Sequence, residues 1–414
     1  MSNENATQPG INAAQPGIDA NKPKIVLAYS GGLDTSFCIP YLTRERGYEV
    51  HTILVNTGGF SAEELEKLTQ KSKQLGAASH TNCDRSQEYY EKGIKYLLFG
   101  NVLKNNTYPL SVSSERAFQA MAVVAHALQL GATAIAHGST GAGNDQVRFD
   151  YFVSVLAPKM QIVAPIRELK MARKDEIAYL AQCGFTYSWD KAKYSINQGI
   201  WGTSIGGVET LHSLGELPEE AYPYPQTKNG TEVVTVTFEK GEPVALNGQP
   251  MAPLALIAAL RAVAAPYGIG RDVHVGDTIV GLKGRVGFEA AAPLILIKAH
   301  HLLEKHVLSK WQLYWKDQIA NWYGMMMHEA QYLDPVMRNM EAFLTDSQQH
   351  VCGTVSIRLR PFHFSLMGCE SPYDMMNATF GDYGEGTKAF DGRDVEGFTK
   401  IMSLPIKIIH SLDK

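Results

Sequence analysis

No apolar run in this 414-residue chain approaches the ~18 residues that a membrane-spanning helix needs, and no basic, apolar leader opens it. The expectation is a soluble, cytoplasmic protein with no membrane partner. Cysteine is scarce. The five residues at 38, 83, 183, 352 and 369 form no CxxC pair and no metal-ligand spacing, which excludes a disulfide scaffold and a thiolate zinc site. Positive charge is not in excess either: 38 Lys and Arg against 42 Asp and Glu leave a formal charge of -4, so no chain-wide basic surface points to nucleic acid. Two phosphate-binding signatures are missing, the GxxxxGK[ST] loop and a GxGxxG after the first strand. "HEAQY" begins like a zinc-protease motif at His328 but has Tyr332 where a second histidine is required.

What is present is a change of rhythm along the chain. Residues 1–22 repeat QPGI and are rich in Asn, Ala, Pro and Gly, a composition that cannot bury enough apolar area to order itself, so a flexible leader is expected. From about residue 23 to 186 short β-rich runs ("IVLAY", "YEVHTILVN", "ATAIAHG", "QIVAP") alternate with helical segments. One of these has Ser61 and Glu64 at capping-box spacing and stops at Gly76. Strands separated by helices of this length imply right-handed crossovers. The expected class is therefore α/β, a doubly wound parallel sheet forming a nucleotide-binding domain. Residues 187–370 read differently: "EVVTVTFEKGEPVALNGQ" is a hairpin turning through Lys240 and Gly241, helices are expected near 253–265, 293–306 and 309–330, and "GTVSIRLRP" returns to strand. That predicts a second, α+β domain. Residues 371–414 read as a C-terminal arm packed on its own domain or on another subunit. Trp311, Trp315 and Trp322 with Met325 to Met327 form an apolar stripe suited to a core or a subunit interface.

Two loops carry the chemistry. In "KIVLAYSGGLDTSFC" the strand ends at Tyr29 and a helix begins near Leu33, leaving Ser30, Gly31 and Gly32 as the turn. Glycines let backbone approach an anion, and the unpaired N–H groups of the first helical turn face it. Ser30, Thr35 and Ser36 add hydroxyls. Asp34 is repulsive beside phosphates unless a cation such as Mg²⁺ lies between them or the carboxylate grips a donor, which points to Mg-bound nucleotide. The same residues suit an ordinary tight turn with Asp34 as N-cap. Pro40 is expected to kink or delay the helix. The second loop, "HGSTGAGNDQVRF", ends a strand at Gly138. There Asn144 or Asp145 caps a helix whose Phe149, Phe152 and Leu156 share one face. Two such turns at the carboxyl ends of parallel strands can flank one crevice lined by Thr140, Asn144, Asp145 and Arg148. Arg148 suits a substrate carboxylate, or equally a solvated surface.

"AYSGGLDTS" at 28–36 resembles the pyrophosphate loop of N-type ATP pyrophosphatases. With "YPLSVSSER" at 108–116, "HGSTGAGNDQVRF" at 137–149, "APIRE" at 164–168 and "YSINQGIWGTS" at 194–204, the set is similar to the argininosuccinate synthase family from about Lys24 to Ile401. The resemblance implies condensation of citrulline with aspartate, using ATP with Mg and passing through a citrullyl adenylate. It also implies a synthetase role for the second domain and a homotetramer whose C-terminal arm reaches a neighbour. By motif, ATP would be held by Ala28, Tyr29, Ser30, Gly31, Gly32, Leu33, Asp34, Thr35 and Ser36, with Val55 and Gly138. Aspartate would meet Thr140, Asn144 and Asp145; citrulline would meet Tyr108, Ser113, Asn144, Arg148, Ser195 and Ser204. Asp34 and Asp145 are the candidate catalytic carboxylates, and no resident metal ligand is implied.

The likeness departs in the second domain. A citrulline-contacting glutamate of the family falls at Gly276, its tyrosine at Phe288, and Gly206 stands where a glutamate is common. Asp277 or Glu289 would have to supply the missing counter-charge. The loops also admit another pyrophosphatase-loop enzyme, such as a tRNA thiolase, or a nucleotide sensor without turnover.

Overall fold

A computed structural model of the protein describes residues 22–141, 143–187, 193–377, 383–384 and 387–413. The expected flexible leader lies outside the described residues except for Lys22. By contacts the chain divides into two units, each discontinuous in sequence: Met1–Asn56, Phe60–Arg85 and Arg116–Ala192 form the first, and Thr57–Gly59, Ser86–Glu115 and Lys193–Lys414 the second. Among the described residues no helix is long and apolar enough to cross a membrane.

The first unit is built on five parallel strands: β1 (Lys24–Ala28), β2 (Glu49–Asn56), β3 (Ser79–Asp84), β4 (Ala134–His137) and β5 (Gln161–Val163), in the order β3-β2-β1-β4-β5. β1, β2 and β4 are buried almost throughout, as strands must be when helices cover both faces. Edge strand β3 is polar and half-exposed, and the apolar pattern of the sequence does not mark it. Helices Leu33–Arg44, Ala62–Gln74, Asp145–Leu156 and Arg173–Gln182, with most of Ser111–Leu130, complete the unit. The capping box at Ser61 and Glu64 forms as expected. Pro40 does not delay its helix, which runs on to Arg44 with Pro40 buried inside it. Ile25, Leu27, Leu33, Phe37, Val50 and Leu180 lie in the core between this helix and the sheet.

The second unit has two antiparallel sheets. The first contains β6 (Ser195–Gly199), β7 (Gly202–Gly206), β11 (Arg271–Asp277) and β12 (Lys283–Glu289), in the order β11-β12-β7-β6. The second contains β8 (Glu232–Glu239), β9 (Glu242–Leu246), β10 (Gln249–Pro250), β13 (Gly353–Arg360) and β14 (His363–Glu370), in the order β10-β9-β8-β13-β14. The β8–β9 hairpin turns at Lys240 and Gly241, both with positive φ, as the sequence predicts. Helices Pro253–Ala264, Ala291–Val307 and Lys310–His328 fall where they are expected. The tryptophan stripe splits. Met326 and Met327 are buried, whereas Trp311, Trp315 and Trp322 are exposed on the same helix, so the tryptophans are not core. Helices Gly392–Met402 and Leu404–Leu412 bury no residue at all.

Candidate functional site

In the first unit the strand order reverses between β1 and β4, and the crevice outside the carboxyl ends of a doubly wound sheet opens at such a switch point. Both glycine turns leave from there. Gly31 has φ +76, a conformation that a side chain strains. Gly138 lies against the other turn, where an added Cβ would stand 3.3 Å from the Asp34 carbonyl carbon. Within the first turn Gly32 N donates to Ser30 Oγ at 3.4 Å, and the Ser30 and Thr35 hydroxyls are 3.2 Å apart. Ser36 Oγ donates to Gly31 O at 3.4 Å. Ala28 closes β1, paired with Ile53 and His137, and Val55 extends β2 beyond that level. Tyr29 and Leu33 turn their side chains into the core, so at these two positions only backbone is left to meet a ligand.

Lys71, from helix Ala62–Gln74, donates to Gly31 O at 2.8 Å, and burial pushes its ammonium down to about 8. It brings positive charge to a glycine turn that has no lysine of its own, and no sequence motif announces it. Asp34 finds the donor that it needs. Glu176, buried on helix Arg173–Gln182, is pushed up to about 8 by burial and then by the charge of Asp34, so at neutral pH its protonated carboxyl donates to Asp34.

The second loop delivers Asn144 and Asp145 to the start of helix Asp145–Leu156, where Asn144 is the N-cap residue without a side-chain capping bond. Asp145 is gripped from two directions, by Arg116 Nε at 3.0 Å and Arg148 Nη1 at 2.8 Å. Burial pushes its carboxyl up, but Arg116 and then Arg148 outweigh that and hold it down at about 2. A carboxylate this weakly basic acts as a fixed anion rather than as a proton acceptor. Arg148 is buried, not solvated. Phe149 and Phe152 are buried, but Leu156 is exposed, because the helix ends there. Thr140 is exposed on the loop. His137 Nε2 and Arg167 Nη1 hold Asp150 at 2.9 and 2.7 Å, which ties "APIRE" to this helix. Cys38 is fully buried and burial pushes its thiol up, the opposite of a sulfur-transfer cysteine.

The remaining candidates belong to the second unit. Tyr108 and Ser113 are buried near the start of helix Ser111–Leu130, and Trp201 Nε1 donates to Pro109 O at 2.9 Å, joining the "YPL" and "YSI" segments. Ser204 of β7 lies opposite Asn197 of β6 and Phe288 of β12, and Ser195 lies opposite Gly206, so all five share one face of their sheet. Neither expected substitute for the glutamate is on that face. Strand alternation puts Asp277 and Glu289 on the other side, engaged with Lys283 at 2.6 Å and Arg271 at 3.0 Å. Among the described residues no group of three or more His, Cys, Asp or Glu side chains is arranged to hold a metal ion.

Residues 24–186 match the family model described as Arginosuccinate synthase N-terminal HUP domain, and residues 194–409 match the one described as Arginosuccinate synthase C-terminal domain. The argininosuccinate synthase of Xanthomonas campestris pv. campestris is 40% identical over 394 residues, covering 92% of this chain and 96% of that protein. That of Methanocaldococcus jannaschii is 35% identical over 384 residues, with 92% and 96% covered. That of a Synechococcus species is 38% identical over 390 residues, with 93% and 96% covered.

Proposed function

The chain belongs to the argininosuccinate synthase family, and from that premise we propose that it ligates citrulline to aspartate with ATP, releasing AMP and pyrophosphate. The observation that carries this reading is the pair of glycine turns at the β1/β4 switch point, with Gly138 set against the first turn of helix Leu33–Arg44. Backbone N–H groups in the first turn of that helix, its dipole and Lys71 suit a polyphosphate. The ureido oxygen of citrulline attacks the α-phosphorus and expels pyrophosphate. The aspartate amine, freed of its extra proton by loss to solvent, then displaces AMP from the adenylate. This sequence needs positioning and charge stabilisation rather than a protein nucleophile. Asp145 serves as a fixed anion for the ammonium of aspartate, beside Thr140 and Asn144. Arg148, with Tyr108, Ser113, Ser195 and Ser204, serves citrulline.

Magnesium would enter as the counter-ion of ATP and shield its phosphate charge. Asp34 is the carboxylate at that loop suited to meet it, with the other ligands drawn from phosphate and water. The protein acts in the cytoplasm as a homotetramer. The support is the unburied apolar residues of the C-terminal helices, among them Phe398, Ile401, Ile406 and Ile409, which suit a neighbouring subunit.

The test is pyrophosphate release from ATP, citrulline and aspartate together. Release no greater than in the two-substrate controls overturns the reading. Asp34→Asn is expected to impair chiefly the use of Mg-ATP, and Arg148→Ala to raise the citrulline requirement. Equal losses in both measurements for both variants overturn the assigned roles.

A further inference from the structure

The sheet face that carries Ser195 and Ser204 also carries Asp272, His274 and Gly276, because β11 pairs Asp272 with Phe288, His274 with Val286 and Gly276 with Gly284. Tyr108 stacks on this face. Its ring centroid is 5.1 Å from that of His274 with the planes 23° apart, and 5.4 Å from that of Phe288. His274 therefore lies against a residue already assigned to citrulline. It is 6% exposed, and its Nδ1 is buried with no hydrogen-bond partner. A buried polar atom without a partner destabilises the fold, so an orphan nitrogen in a folded protein calls for a ligand.

Gly276 explains how the ring reaches this position. A Cβ there would stand 2.7 Å from His274 Nε2 and 3.2 Å from Asn105 Nδ2, so a side chain at 276 and the observed imidazole exclude one another. The imidazole thus fills the volume that a side chain at 276 would take. Asp272, on the same face, is exposed, and its Oδ1 accepts from Val273 N at 2.7 Å.

We infer that His274 is a specificity-determining residue for citrulline, its imidazole hydrogen-bonding the substrate's α-amino group from the face shared with Ser195 and Ser204. This deepens the ligase reading and rests on it. Recognition here uses a neutral acceptor in place of an ion pair. The groups facing His274 are Asp272 on its own strand and Lys104 and Tyr108 from the segment stacked on it. Burial, and then Lys104, hold the imidazole below its usual value, so it is neutral at neutral pH and keeps its acceptor there.

The experiment is steady-state pyrophosphate release by the full chain, with 5-ureidopentanoate (citrulline lacking its α-amine) as competitive inhibitor. His274→Ala is expected to raise the KM for citrulline by about tenfold or more while the KM values for ATP and aspartate move less than about twofold. The inhibition constant of 5-ureidopentanoate is expected to stay unchanged, because the missing amine has no contact to lose. The wild-type KM for citrulline should climb as pH falls below the usual imidazole value and the variant's should not. Gly276→Ala, which displaces the ring, should reproduce the pattern in milder form, and His274→Asn should recover part of the loss. These two variants serve if the alanine protein does not fold. An unchanged KM for citrulline, or an equal loss for the amine-free inhibitor, overturns the assignment while leaving the ligase reading in place. Absence of wild-type turnover overturns the ligase reading, and this assignment falls with it.

Discussion

A Cβ built on Gly138 would stand 3.0 Å from Thr35 Cγ2 and 3.2 Å from Thr35 N, so the turn after β4 lies directly on the first turn of the helix that follows β1. Gly138→Ala forces one of the two turns to move by a few tenths of an ångström. The expected cost is about 1 kcal/mol of stability, with a several-fold rise in KM for ATP. Thermal unfolding and substrate titration check both, and an unchanged KM would separate this contact from nucleotide binding.

Asp145 held between Arg116 and Arg148 predicts acid sensitivity. Its folded value of about 2 lies below the unfolded one, so the stability it contributes is present above about pH 4 and is lost as pH falls through about 2. The side chain is 37% exposed, so solvent screening reduces the effect to about 1 kcal/mol. Arg116→Gln should therefore destabilise the protein at pH 6 more than at pH 2. Urea denaturation at the two pH values measures the difference, and an equal loss at both would show that the charge of Arg116 does not act through Asp145.

Glu176 predicts the opposite slope. Its carboxyl is raised to about 8, above its unfolded value, so its contribution is fully present below about pH 4.5 and is lost as pH rises through about 8. Glu176→Gln keeps a donor for Asp34 and cannot ionise. It is expected to be more stable than wild type at pH 8 by on the order of 2 kcal/mol, and nearly equal to it at pH 4.5. Denaturant midpoints at the two pH values decide this, and a pH-independent difference would mean that Glu176 does not carry the proton.

In the second unit Lys316 and Glu304 are both fully buried and 3.0 Å apart, and Glu304 also accepts from Asn101 and Gln348. Lys316→Met strands a buried carboxylate and should cost about 3–5 kcal/mol by chemical denaturation. Adding Glu304→Leu to that variant removes the stranded charge and should recover part of the loss. A double variant no more stable than the single one would refute the pairing.

The sequence by itself determined what depends on residues close together in the chain. The helix start at Ser61 and Glu64, the Lys240–Gly241 turn and both glycine-rich strand-to-helix turns form where their residues predict. Each depends on local hydrogen bonds and backbone preference, which a short segment carries with it. Strand β3 escaped because an edge strand has no face to bury on both sides and shows no apolar run. Pro40 does not delay its helix, which begins at Leu33 and carries the proline buried within it.

Only the tertiary structure decided which side chains meet across the chain. Arg116 reaches Asp145 over 29 residues, Lys71 reaches Gly31 over 40, and His274 stacks on Tyr108 from a strand far along the sequence. The side of the sheet on which Asp277 and Glu289 fall was likewise settled by strand register. Charge, burial and proton affinity at these groups are set by neighbours that folding brings together, and no local spacing encodes them.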